Sequence, residues 1–460
     1  MSSPLIISVS GLRGEIGRSL TPDVAVRYAL AFSTSVDSTK PFVVANDGRR
    51  SGALFTDAVC AALNAAGRTV IDAGVAATPT VGALVKSTAA AGGIQISASH
   101  NPRQYNGMKL FSSEGRVIPK TEGESVLASY RSLCDRSSLP RYADVDSLGE
   151  RIRMDDSTSA HLQLVLKTVD LDLIRAHNFS VVLDSNNASG SILGKRLLDA
   201  LNCRYVILGD SADGSFLHMP EPTEENLESV VARSREFGAD AVFCQDPDAD
   251  RLAVIDENGR YVGEEYTTAI CCKNRLQKAR VSGETAPFNL VINCASSRMT
   301  LDIAEEFGGK CFRSPVGEAN VVDLMKAKDA VYGGEGNGGP IDPRVGYVRD
   351  SFVGIAQTLE MMARNNQKLS EVADAIKGYS IVKRKVGLPT EGFQKIVELV
   401  AREFANESIN LEDGVRVDFA DSWVLARPSN TEPIARVIAE APTMEQAETL
   451  CDRVEKIMGF

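Results

Sequence analysis

One order of elements (strand, polar loop, helix, strand) recurs three times in this chain and restricts its fold more than any other feature. Phe42-Val43-Val44-Ala45 is an apolar run ending in Asn46-Asp47. A Ser/Gly-rich loop, an Ala-rich helix over 55–66, Gly67 and a second strand over 69–73 follow it. Val181-Val182-Leu183-Asp184, the loop 185–191, a helix near 194–201 and Tyr205-Val206-Ile207-Leu208 repeat the plan. Leu290-Val291-Ile292-Asn293, the loop 294–297, a helix near 299–306 and Lys310-Cys311-Phe312 repeat it again. The strand starts in each pair lie about 20–27 residues apart, close to the size of a βαβ unit. Three such units predict an internally triplicated α/β protein with mixed sheets.

A chain of 460 residues exceeds one ordinary core and has room for three or four units. From about residue 371 the pattern changes to a helix over 391–404, strands over 414–419 and 423–426, and a closing helix over 444–457. That is an α+β unit of another kind. Polar, turn-rich stretches at 135–158, 256–260 and 365–367 mark boundaries. The expected domains are residues 1–154, 155–257, 258–370 and 371–460.

A net charge of −11 without a Lys/Arg block argues against a general nucleic-acid binder. An anionic ligand must therefore find its positive partners locally. No apolar run approaches the roughly 20 residues that span a bilayer, and Met1-Ser2-Ser3-Pro4 has no basic n-region followed by a long apolar stretch, so no signal peptide is expected. Nine cysteines without a CxxC pair fit free thiols in a reducing compartment. The expectation is a cytoplasmic protein with no membrane partner. Nothing in the pattern selects between monomer and dimer.

Four motifs carry chemistry. Ile94-Gln95-Ile96-Ser97-Ala98-Ser99-His100-Asn101-Pro102 puts Ser99 at the mouth of a buried strand, on a turn that Pro102 stiffens. A serine is weakly nucleophilic unless a base, a metal or an attached phosphate changes its chemistry. His100 could be a base or a hydrogen-bonded structural residue. The turn Asn106-Gly107 is expected to bring Lys109 back beside Ser99 as acid or base. Near the N-terminus, Ser10-Gly11-Leu12-Arg13-Gly14 reads as a tight loop offering the Arg13 guanidinium to an anion.

Asp246-Pro247-Asp248-Ala249-Asp250-Arg251 ends a buried strand in three alternating carboxylates, which select a hard cation, Mg²⁺ first. An EF-hand fails because Arg251 stands where its loop needs glycine. A phosphatase-type aspartate nucleophile is the other reading of the DxD, but leaves Ser99 unexplained. Gly333-Gly334-Glu335-Gly336-Asn337-Gly338-Gly339-Pro340 offers Glu335 and Asn337 to sugar hydroxyls, and Glu318 adds a carboxylate upstream. Arg427-Pro428-Ser429-Asn430-Thr431-Glu432-Pro433 is dense in anion donors. Pro433 is expected to open a helix whose N-terminus adds to the field.

Together, in this order, these motifs resemble the α-D-phosphohexomutase superfamily: an S/T-A-S-H-N-P serine loop, a DxDxDR metal loop, a GE sugar loop and an R-x-S-N/G-T-E-P phosphate loop. The resemblance runs from Gly11 to Arg436. It implies four domains around one cleft, three α/β and one α+β unit similar to TATA-binding protein. It implies a phosphosugar substrate, Mg²⁺ and a hexose 1,6-bisphosphate activator. Ser99 would carry the phosphoryl group and join Asp246, Asp248 and Asp250 at the metal. Arg13, Lys109 and Arg251 would stabilise the moving group, with Lys109 or His100 as acid/base. Glu335, Asn337 and Glu318 would read the sugar, while Arg427, Ser429, Asn430, Thr431 and Arg436 would hold its non-reacting phosphate.

The sugar loop lacks the serine and histidine of the G-E-Q-S-G-H of bacterial phosphoglucosamine mutases and the G-E-M-S-G-H of phosphomannomutase/phosphoglucomutases. Its G-E-G-N-G-G form looks more like archaeal-type mutases assigned to glucosamine phosphate, and Glu318 agrees. The implied reaction is glucosamine 6-phosphate to glucosamine 1-phosphate. Glucose or mannose phosphate is the alternative, and a non-catalytic sugar-phosphate-binding regulator on the same scaffold is a further one.

Overall fold

The computed structural model describes residues 4–9, 11–135, 137, 140–387, 392–428 and 434–459. They form two compact units, one of residues 1–275 with 337–373 and one of residues 276–336 with 374–460.

In the first unit, strands Phe42–Asn46 and Val70–Val75 run parallel, joined by helix Gly52–Ala65. Gly92–Ile96 lies parallel on the other flank, and the chain then reverses into antiparallel Tyr105–Ser112. Phe42, Val43 and Val44 are fully buried, which explains why the run is continuously apolar: helices cover both faces of such a sheet. Each of these side chains contributes about 1.5–3 kcal/mol by leaving water. Ile6–Ser8, Gly11–Glu15 and Arg151–Arg153 extend this sheet to seven strands. A second sheet repeats the plan: Ser180–Asp184 and Arg204–Leu208 are parallel around helix Gly190–Ala200, Ala241–Gln245 is parallel and Leu252–Asp256 antiparallel.

In the second unit, Asn289–Asn293 and Lys310–Ser314 run parallel around helix Met299–Glu306, with Tyr332–Glu335 parallel on the other flank. The expected triplication is therefore present strand for strand. In each repeat the chain leaves the C-terminal end of its third parallel strand at an equivalent place: residues 97–104, 246–251 and 336–338. Ser99, the three aspartates and the motif expected to read a sugar sit there, at the end of parallel strands where α/β proteins bind ligands.

The last part of this unit is an antiparallel sheet in the order Ser380–Gly387, Ile434–Ala441, Trp423–Pro428, Val415–Asp418, Ser408–Asn410. Helix Phe393–Glu403 buries Ile396, Val397 and Val400, and helix Met444–Met458 buries Ala447, Cys451, Val454 and Met458. Spacings of three and four put each set on one stripe, and all of them but Ala447 share one core cluster with Val415, Val417, Val424 and Val437. No helix among the described residues is long and apolar enough to cross a membrane.

Several local expectations are corrected. Residues 11–14 are strand rather than loop, because Gly11–Glu15 pairs with Tyr105–Ser112. Asn106-Gly107 lies inside that second strand and is no turn; a Cβ at Gly107 would meet Leu12 O at 2.4 Å and Ser97 O at 2.7 Å. The glycine is there for close strand approach. Residues 333–340 comprise strand Tyr332–Glu335, a short connection and strand Gly339–Ile341, not one long loop. The turn-rich stretch 135–158 also contains strand Arg151–Arg153, paired with Val70–Val75, which falls inside the expected first domain of residues 1–154. Strand Ile434–Ala441 follows Pro433 where a helix was expected, because pairing on both of its sides outweighs the local signal.

Candidate active site

Ser99 adopts a left-handed backbone, φ +49°, a conformation that costs an L-residue energy and persists only when its surroundings over-determine it. The surroundings are a buried polar cage. Ser99 N donates to Ser97 Oγ (2.8 Å), and the Ser97 hydroxyl donates to Asp47 Oδ2 (2.7 Å). Arg49 Nε donates to the same Asp47 oxygen (2.9 Å). The terminal nitrogens of Arg49 reach four carbonyls of the loop: Ser99 (2.6 Å), Asn101 (2.7 Å), Pro102 (2.9 Å) and Tyr105 (3.1 Å). A planar fork satisfies that many acceptors and an ammonium does not. Arg49→Lys is expected to lower stability by about 3 kcal/mol, read as a fall in Tm, and to lower kcat with it.

The held serine faces the aspartate loop, residues 246–251. Its hydroxyl donates to Asp246 Oδ2 at 2.6 Å, with His100 Nδ1 3.3 Å from the same Oγ. Asp246 Oδ1 accepts from the backbone N–H groups of Asp250 (3.2 Å) and Arg251 (3.1 Å), folding the loop around itself. Lys109, on strand Tyr105–Ser112, places Nζ 3.1 Å from Asp248 Oδ2 and 2.6 Å from Asp250 Oδ2. Arg349 Nη2 lies 2.6 Å from that Asp250 oxygen, and Arg251 Nε 3.9 Å from Asp250 Oδ1. Arg13 Nη1 donates to Asn101 Oδ1 at 2.5 Å.

Asp246, Asp248 and Asp250 are fully buried, and their ligand oxygens lie within 4.8 Å of one another. Burial and the two neighbouring carboxylates push Asp246 well above the usual carboxylate range. Burial would raise Asp248 and Asp250 too, but Lys109 and Thr78 outweigh it at Asp248, and Arg349 and Lys109 at Asp250, so both are lowered. Asp248 Oδ1 and Asp250 Oδ1 are buried without a hydrogen-bond partner among the described residues. Buried carboxylate oxygens normally find donors; two orphans beside a protonation-prone third fit a hard divalent cation. His100 is held well below the ordinary imidazole range by burial, then by Arg251 and Arg13.

In the second unit, Glu335 ends strand Tyr332–Glu335 and accepts from Asn293 Nδ2 (2.7 Å) and Gly317 N (3.1 Å). Glu318 opens helix Glu318–Ala327 and is buried. Arg427 Nε donates to Asp413 Oδ2 at 2.9 Å, and Val316 N donates to the same oxygen at 2.9 Å. Arg436 stands opposite Arg427 in the sheet register. Ser429, Asn430 and Thr431 lie outside the described residues. Asn337 belongs to the first unit, its Oδ1 buried and without a hydrogen-bond partner among the described residues.

Four family models match the chain in order: phosphoglucomutase/phosphomannomutase α/β/α domain I over residues 5–135, domain II over 159–259, domain III over 264–379 and the C-terminal domain over 365–457. The chain belongs to the phosphoglucomutase/phosphomannomutase family. A phosphoglucomutase/phosphomannomutase of Thermococcus kodakarensis is 34% identical over 445 residues, 95% of this chain and 94% of the relative. A probable phosphoglucosamine mutase of Methanopyrus kandleri is 31% identical over 453 residues, 98% and 96%. Among solved structures, a phosphoglucomutase/phosphomannomutase family protein of Burkholderia thailandensis shares the fold with a TM-score of 0.84 at 24% identity, covering 98% of both chains. The protein is thus a phosphohexomutase-family enzyme.

Within this family fold, Ser99, His100, Lys109, Arg13, Arg251 and the three aspartates come together in the first unit. Sequence reasoning missed Asp47, Arg49, Thr78 and Arg349, which hold the serine and aspartate loops, and Asp413, which holds Arg427. Asp47-Gly48-Arg49 at the end of the first repeat's strand was a legible signal, since α/β sites gather at strand C-termini. Arg349 had none: its partner Asp250 is 99 residues away.

Proposed function

We propose that this enzyme interconverts hexose 6-phosphate and hexose 1-phosphate through a phosphorylated Ser99, with glucosamine phosphate as the preferred sugar. One observation carries the reading: the Ser99 hydroxyl, 2.6 Å from Asp246, sits beside a buried aspartate trio that Lys109 and Arg349 also engage.

The chemistry balances simply. A phosphoryl group on Ser99 Oγ passes to a free hydroxyl of a hexose monophosphate; the Oγ–P bond breaks as the sugar O–P bond forms. The sugar hydroxyl gives up its proton and the serine oxygen regains one. His100, neutral and 3.3 Å from Oγ, is placed to relay that proton. The resulting hexose 1,6-bisphosphate turns over and returns its other phosphate to Ser99, so a bisphosphate also activates unphosphorylated enzyme. Asp246, Asp248 and Asp250, with a phosphoserine oxygen, would hold Mg²⁺, which offsets charge on the phosphoryl oxygens when bound. Arg13, Arg251 and Lys109 supply further positive charge around the transferring group, the main requirement of phosphoryl transfer.

Glu335, Asn337 and Glu318 are assigned to the sugar, and Arg427, Arg436 and residues 429–431 to the phosphate that does not react. Arg427→Ala is expected to raise KM by about 10- to 100-fold, the worth of a charge-assisted hydrogen bond. Initial rates against sugar phosphate check it. The G-E-G-N-G-G loop and the relative named probable phosphoglucosamine mutase support glucosamine phosphate. The relative named phosphoglucomutase/phosphomannomutase supports glucose or mannose phosphate as the second reading. A coupled assay with glucosamine, glucose and mannose phosphates side by side, with a bisphosphate activator, decides between them. Glucosamine phosphate should give the highest kcat/KM, and a tenfold preference for another sugar would overturn that assignment.

A further inference from the structure

The metal loop is gripped from two directions. On one side is the start of helix Thr78–Ser87. Thr78 N donates to Asp248 O at 2.9 Å and its hydroxyl to Asp248 Oδ2 at 2.5 Å. On the other is the start of helix Ser351–Asn365. Arg349 meets Asp250 at 2.6 Å, the Ser351 hydroxyl donates to Ala249 O at 2.7 Å, and Gln245 Nε2 donates to Ser351 Oγ at 2.7 Å. Ala249 has φ +53°, a left-handed conformation that a Cβ-bearing residue adopts only when held there. The spacing of Asp248 and Asp250 is therefore set by the spacing of two helix starts that are distant in sequence.

His161 joins those two starts. Its ring is wholly buried, with Nδ1 2.9 Å from Thr80 Oγ1 on the first helix and Nε2 2.7 Å from Asp350 Oδ2 at the head of the second. The other oxygen of Asp350 caps that helix, accepting from Phe352 N at 2.9 Å and Val353 N at 3.3 Å. The imidazole also packs edge-on against Phe352, with centroids 5.6 Å apart. Both ring nitrogens are occupied, so this histidine is a tie rather than a reagent.

We propose that His161 is a positioning residue for the metal site: by tying Thr80 to Asp350 it sets the distance between the elements that hold Asp248 and Asp250. The inference rests on the metal reading of the aspartate trio. Outer partners that orient metal ligands are typically worth about 10- to 100-fold in affinity.

The test is Mn²⁺ binding to the dephosphorylated full chain, followed by the EPR signal of the free ion, well below each variant's own Tm. His161→Phe should weaken Mn²⁺ binding by about 10-fold or more. Thr80→Val, which removes one of the two hydrogen bonds, should weaken it by about fivefold. Val165→Ala, a cavity in the same helix Ser159–Leu166, should lower Tm and leave Mn²⁺ affinity within about twofold of the parent. If His161→Phe does not fold, Thr80→Val decides alone. Parent-like affinity in the tie variants would overturn the proposal, as would equal losses in Val165→Ala. A parent protein that binds no Mn²⁺ would overturn the metal reading itself, and this inference with it.

Discussion

Ser99→Ala is expected to lower sugar-phosphate interconversion by at least about 10⁴-fold, the scale on which enzymes lose activity with their nucleophile. The loss should fall on kcat. The loop owes its shape to Ser99's backbone, through Ser97 and Arg49, and alanine retains those bonds. The variant should therefore fold and bind hexose monophosphate about as the parent does. A coupled assay with a bisphosphate activator reads the rate, and calorimetric titration reads the binding. Full activity in this variant would remove the proposed carrier.

Asp248→Asn should have the second largest effect, lowering kcat/KM by about 10³-fold as a divalent ion's charge stabilisation is lost. Asparagine can still accept from Thr78, which meets Asp248 at 2.5 Å, but it removes one of three negative charges and one ligand. Mg²⁺ affinity should fall with activity, and added Mg²⁺ should restore part of the rate. A linked effect follows from Asp246, which burial and its two neighbours raise well above the ordinary carboxylate range. Metal binding requires the ionised form, so binding should release protons and weaken as pH falls through that raised value. Calorimetry in two buffers of different ionisation enthalpy counts the protons. A rate insensitive to Asp248→Asn and to chelation would contradict the assignment.

Much of this arrangement was legible because it is local. A strand that runs into Ser-His-Asn-Pro, or into three alternating aspartates, announces a sheet position and suggests a chemistry. The three strand-helix-strand repeats were visible because buried parallel strands are continuously apolar. Lys109 lies beside Asp248 and Asp250, but not by the turn expected. Asn106-Gly107 reads as a turn, yet Asn106 is buried with Nδ2 donating to Ser51 Oγ at 2.9 Å, and Lys109 reaches the aspartates from within a strand. The Arg13 segment failed likewise, since two flexible glycines conceal a strand that forms only once its neighbour is present. Arg49, Arg349 and His161 acquire meaning only from partners brought together by folding, and no spacing in the chain encodes those contacts. Pro433 carries helix-start chemistry, but the strand after it is fixed by neighbours on both sides.

The central claim is tested most directly by locating the phosphoryl group. Enzyme incubated with labelled hexose 1,6-bisphosphate, digested and mapped, should carry one phosphate on the peptide containing Ser99, stable to hydroxylamine. Label on the peptide containing Asp246 and Asp248, released by hydroxylamine as an acyl phosphate is, would contradict it.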